Sequence, residues 1–74
     1  MSKKSLHSLA EKYPNIVWMI ETGTIEITNE YKRGIVARAY DEGGVIWEEE
    51  KFKTFDDAIN ALEEGIKKWY DKNM

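Results

Sequence analysis

His7 is the only histidine, and Glu11 lies four residues beyond it. On a helix that spacing puts both side chains on one face, but a metal site needs further ligands that the chain does not supply there. Carboxylates concentrate at Asp41-Glu42 and at Glu48-Glu49-Glu50. Side chains alternate along a strand, so Glu49 points away from Glu48 and Glu50, and the three cannot close on one cation. The segment also lacks the Asp-x-Asp-x-Asp-Gly spacing of a calcium loop. A catalytic pair of carboxylates needs a cleft that raises one pKa, and no such cleft is implied. The acidic run therefore reads as a solvated strand end that discourages edge pairing. Gly43-Gly44 falls between two strands and lacks the glycine spacing of a dinucleotide or phosphate loop. Ser2, Ser5 and Ser8 have neither a nucleophile elbow nor a second histidine to serve as base. Cysteine is absent, which excludes disulfides, thiolate metal sites, iron–sulfur clusters and a Cys nucleophile. The residues predict no enzyme, no metal and no cofactor.

Whatever the chain does must therefore be done by a surface, and its elements decide which surface. Its 74 residues make one domain, 1–74, with 42% hydrophobic and 34% charged residues. A chain of this size buries roughly 60% of its unfolded surface, enough for a small core without a deep cavity. Three Trp, four Tyr and two Phe give the apolar mass that disordered segments lack. The longest strictly apolar run, Ile16 to Ile20, is far short of a membrane span, and the start of the chain lacks a signal-peptide pattern. A soluble, cytoplasmic protein is expected. Residues 1–40 carry six Lys/Arg and four acids, and residues 41–74 carry five Lys and ten acids. This mild asymmetry lacks the basic stripe of a nucleic-acid-wrapping domain.

Leu6, Leu9, Ala10 and Tyr13 form one apolar stripe, predicting a short helix over 5–13, capped by Ser2 or Ser5 and stopped by Pro14. Ile16–Glu21 and Thr24–Thr28, rich in β-branched residues, predict two strands joined by a tight hairpin at Thr22-Gly23, with Gly23 at positive φ. That register turns Ile16, Trp18, Ile20, Ile25 and Ile27 inward and Val17, Met19, Glu21, Thr24, Glu26 and Thr28 outward. A third strand is expected from Gly34 to Tyr40 and a fourth from Val45 to about Glu49. A three-residue loop between them would set Ala39 opposite Trp47, with Ile35, Ala37, Val45 also inward. Thr54 and Asp57 resemble a capping box, followed by a helix whose stripe is Phe55, Ile59, Leu62, Ile66 and Trp69. Gly65 would let that helix lie close to the sheet. The expected fold is α+β: a four-stranded antiparallel β-meander with a short N-terminal helix and a longer C-terminal helix packed on one face, α-β-β-β-β-α.

With both helices on one side, the other side of such a sheet displays an apolar and aromatic surface around an arginine: Val17, Met19, Val36, Arg38, Tyr40 and Ile46. That composition is enriched at protein interfaces. The expectation is a protein-interaction or regulatory module that uses this face or a sheet edge, with a protein partner or a second copy. The alternative is single-stranded nucleic-acid binding, with Tyr40 stacking on bases and Arg38, Lys32 and Arg33 meeting phosphates.

Overall fold

The computed structural model describes the backbone of residues 3–73 and the side chains from Ser8 to Asn73. Ser2 and the side chains of Ser5 and His7 lie outside what is described, and the backbone of Ser5 falls inside the first helix. The elements run α1 (Lys3–Lys12), α2 (Pro14–Thr22), β1 (Thr24–Glu30), β2 (Gly34–Asp41), β3 (Gly44–Phe52) and α3 (Phe55–Asn73). The strands form one antiparallel sheet in the order β1-β2-β3. The class is α+β with an antiparallel sheet, but there are three strands rather than four. Among the described residues, no helix is long and apolar enough to cross a membrane.

The segment expected as the first strand is the helix α2. A continuous apolar run of five residues has no period of its own and fits a buried helix as well as a strand. Pro14 starts this helix instead of merely ending α1, because its fixed φ and missing N–H suit the first helical turn. The next N–H groups, of Asn15 and Ile16, donate to the Glu63 carboxylate of α3 at 3.0–3.2 Å. Orphan donors of a helix start are thus satisfied by a residue on another helix. Tyr13 (φ −131°, ψ 65°) is a one-residue break between α1 and α2. Its N–H donates to the Leu9 carbonyl at 2.7 Å, and its carbonyl accepts from Val17 N–H at 3.1 Å.

With α2 helical, there is no hairpin at Thr22-Gly23. Gly23 N–H donates to the Met19 carbonyl at 2.7 Å, and its φ of −159° is extended rather than positive. Glycine is needed there for close approach: a Cβ would stand 2.6 Å from the Tyr40 carbonyl oxygen. The expected facing is overturned for Val17, Met19 and Ile20, the last of them 41% exposed, whereas Ile16, Trp18, Ile25 and Ile27 pack against the core as expected. Met19, at 1% exposure, sits in the core and Val17 is buried. Trp18 packs against α3, edge-on to Tyr70 at 5.1 Å and tilted to Trp69 at 6.3 Å.

The second half follows the sequence more closely. Ala39 pairs with Trp47, as expected, a large ring set over a small residue. The chain achieves this with a two-residue turn, Glu42-Gly43, followed by a bulge: Tyr40 pairs with Val45 and Ala39 with Trp47, so Ile46 is the extra residue. Ile46 packs against the core, and Val45 is 63% exposed rather than inward. In α3, the Asp57 N–H donates to Thr54 Oγ1 at 3.0 Å, the expected N-cap. Ala58, Leu62 and Ile66 are fully buried, whereas Phe55 is 57% exposed and lies outside the stripe. α3 packs over β2 and β3, with α2 beside it. Gly65 permits this closeness, because a Cβ there would fall 2.5–2.7 Å from three atoms of the Trp47 indole. Met19, Ala37, Ala39, Ala58, Leu62 and Ile66 form the core. Burying Met19, Leu62 and Ile66 contributes about 1.5–3 kcal/mol each before entropy.

Candidate functional site

α2 and α3 pack on the side of the sheet that carries Ile25, Ile27, Ala37, Ala39 and Trp47. Alternation therefore turns Thr24, Glu26, Thr28, Val36, Arg38, Tyr40 and Glu48 to the other, helix-free side. Glu26, Arg38 and Glu48 are directly opposed across the three strands. Arg38 donates from Nε to Glu48 at 2.6 Å, from Nη2 to Glu30 at 3.0 Å, and from Nη1 to Glu26. Arg33, in the β1–β2 turn, donates from Nε to Glu50 at 2.8 Å and from Nη1 to Glu30 at 2.9 Å. Its Nη2 lies 3.6 Å from Glu48. The Thr28 hydroxyl donates to Glu30 at 2.7 Å.

The face is thus an ion-pair lattice in which two guanidiniums bridge four carboxylates on all three strands and the adjoining turn. The hydrogen bonds that Arg38 donates to Glu48, Glu26 and Glu30 hold it more firmly protonated than an ordinary arginine. Arg38 holds Glu48 below the usual carboxylate range. Glu30 is lowered as well, first by the Thr28 hydroxyl and then by Arg38. Val36 pairs with Thr28 and belongs to this face, stands apart from the core cluster, and is nevertheless 1% exposed. The methylene stems of the long charged side chains around it provide the cover that a second layer of structure would give.

Of the six residues expected to form an apolar contact surface, only Arg38 and Tyr40 stand open on this side. Val17 and Met19 belong to a helix and are buried, Val36 lies beneath the lattice, and Ile46 turns to the core through its bulge. The apolar patch is replaced by an ionic one. Glu30 is the member that sequence reasoning does not single out, while Arg33 is expected only as a phosphate contact and Glu50 only as part of a solvated strand end. Glu30 and Glu50 carry a usable signal, since they continue the every-second-residue series of Glu26-Thr28 and of Glu48.

The remaining concavities carry less chemistry. One, between the end of α2 and the β2–β3 turn, is lined by Glu21, Thr22, Gly23, Thr24, Tyr40, Asp41 and Glu42. Another lies where Trp47 meets α3, lined by Glu49, Ala61, Glu64, Gly65 and Lys68. Among the described residues, no three His, Cys, Asp or Glu side chains are placed to hold a metal ion. Comparison with protein-family models, with curated proteins and with solved structures finds no match to this chain.

Proposed function

We propose that the chain is a protein-interaction module that presents the helix-free side of its sheet to a partner of net positive charge. The observation that carries this is the lattice: four carboxylates against two guanidiniums, held in place by cross-strand hydrogen bonds. Side chains already ordered lose little rotamer freedom on association. An excess of negative charge steers a cationic partner and fixes its orientation. Tyr40, half-buried beside Arg38, adds the aromatic area that interfaces favour. Two copies of one acidic face repel, so the partner of the face is a different molecule. The nucleic-acid alternative is weakened by the same bonds, because Arg38 and Arg33 are engaged by carboxylates and Lys32 sits over the Tyr31 ring at 5.5 Å.

The test is a two-dimensional amide NMR titration at low salt, first with an arginine-rich peptide and then with oligothymidylate. The peptide should shift the resonances of Glu26, Arg38, Tyr40 and Glu48. Added salt, or the double substitution Glu26→Gln and Glu48→Gln, should weaken that response. Shifts at those positions with the oligonucleotide and none with the peptide would reverse the assignment.

A further inference from the structure

Both margins of a three-stranded sheet expose unpaired backbone, and natural proteins blunt such edges with bulges, charges, proline or a covering element. β3 is blunted: its pairing with β2 breaks register twice, Lys51 adopts φ 67°, and three glutamates run in succession. β1 is not. Its seven residues, Thr-Ile-Glu-Ile-Thr-Asn-Glu, pair with β2 without a break and contain no proline, lysine or glycine. No backbone group of another described element hydrogen-bonds to its outer side.

The direction of those free groups follows from one bond. The Arg33 carbonyl accepts from Lys51 N–H at 2.9 Å and so faces β3. Across the trans peptide, Gly34 N–H faces β1. Alternation then points the even-numbered residues of β1 at β2, and Ile25, Ile27 and Asn29 direct N–H and C=O outward.

We propose that this edge pairs antiparallel with the same edge of a second copy, about a twofold axis at Ile27. Outward-facing residues then meet only outward-facing residues: Ile27 meets its own counterpart, and Ile25 meets Asn29. On the open face Glu26 meets Thr28 and Thr24 meets Glu30, so every carboxylate opposes a hydroxyl. Sliding the pair by two residues one way sets Glu26 against Glu26. Sliding it the other way sets Glu26 against Glu30. Like charges directly opposite destabilise an antiparallel pair, and a one-residue slip puts the wrong faces together. The strand is self-complementary in a single register, which is what an isologous interface requires.

The full chain should sediment at twice its 8.7 kDa at high micromolar concentration. Asn29→Pro, at an exposed position, removes an outward N–H and should return the chain to 8.7 kDa with its far-UV circular dichroism unchanged. Charge at position 28 reads the register. Thr28→Glu should weaken the dimer by about tenfold and Thr28→Lys should tighten it, through Glu26 of the second copy. Because the chain has no cysteine, I27C should give an oxidised covalent dimer whereas T28C should not. A monomer at every concentration, a dimer indifferent to Asn29→Pro, or the two position-28 variants moving together would overturn the proposal. Binding of a cationic partner to the face needs no second copy at the edge, so such a failure leaves the cationic-partner proposal standing.

Discussion

The start of α2 is tied to α3 through the Glu63 carboxylate, and removing that acceptor gives a quantitative test of how far the helix depends on it. Glu63 accepts the N–H groups of Asn15 and Ile16 at 3.0–3.2 Å and the Asn15 side-chain amide. Hydrogen bonds to a charged group contribute about 1.5–3 kcal/mol. A negative charge at a helix start adds about 0.3–1 kcal/mol. The site is half-buried, so water replaces part of what is lost. Glu63→Ala should therefore cost about 2–3 kcal/mol, out of a total on the order of 4–11 kcal/mol for a domain this size. Glu63→Gln keeps a neutral acceptor and should lose about half as much, while Asn15→Ala removes only the side-chain bond and should cost about 0.5–1.5 kcal/mol. Urea unfolding followed by far-UV circular dichroism gives each value, and the double variant gives the coupling. Because one carboxylate serves both interactions, the two substitutions must be less than additive. A Glu63→Ala loss under about 0.5 kcal/mol would show that α2 does not depend on this acceptor, and strict additivity with Asn15→Ala would show that the Asn15 side chain is not coupled to it.

Three further outcomes are expected. Gly65→Ala should lower Tm despite a helix-propensity gain of about 1 kcal/mol, since a Cβ 2.5 Å from the Trp47 indole overpacks the core at about 1–3 kcal/mol; in a Trp47→Ala background the same substitution should raise Tm. Met19→Glu should abolish cooperative unfolding because Met19 is 1% exposed, whereas Tyr40→Glu should remain folded by circular dichroism, the opposite of what an outward Met19 would give. Acid titration should expose the lattice: the Thr28 hydroxyl and Arg38 hold the Glu30 carboxyl, and Arg38 the Glu48 carboxyl, below the ordinary glutamate range, so their contribution is present above that ordinary range and is lost as pH falls through the lowered values. Arg38→Gln removes the principal cause for Glu48, and its stability should fall less steeply with acid than that of the parent chain.

The parts of the fold legible in the sequence are those whose signals are local. β2, β3 and α3 show alternation, a Thr54 cap and a heptad-like stripe, and the Ala39–Trp47 pair follows from matching a large ring to a small residue. Gly65 reads correctly because a glycine inside a helix carries a cost that close packing offsets. α2 fails on the same logic. Ile16-Val17-Trp18-Met19-Ile20 has β-branched composition and no polar interruption, and its capping acceptor lies 47 residues away in the chain, where no window reaches it. Pro14 carries two meanings, stop and start, and local pattern does not choose between them. The bulge at Ile46 is equally hidden, since one extra residue changes the face of Val45 without changing the alternation around it. From the misplaced strand followed the misplaced patch: two of its six members belong to a helix.

The lattice and the bare edge have a common origin in the economy of a two-layer fold. Its α2 and α3 cover one side of a three-stranded sheet, and the other side must meet water or a partner. An apolar face there would invite stacking of sheets. Crossed arginine–glutamate bonds instead keep that face polar while their aliphatic stems bury Val36. The solution extends unevenly to the edges. On β3 the acidic run and the bulges that complete the lattice also spoil the geometry an incoming strand needs. On β1 the carboxylates alternate with threonines along an unbroken strand, so the residues that make the face acidic leave the margin able to accept its own copy. Charge that protects the surface of the sheet does not protect its outermost strand, and β1 is where the molecule should be found in contact.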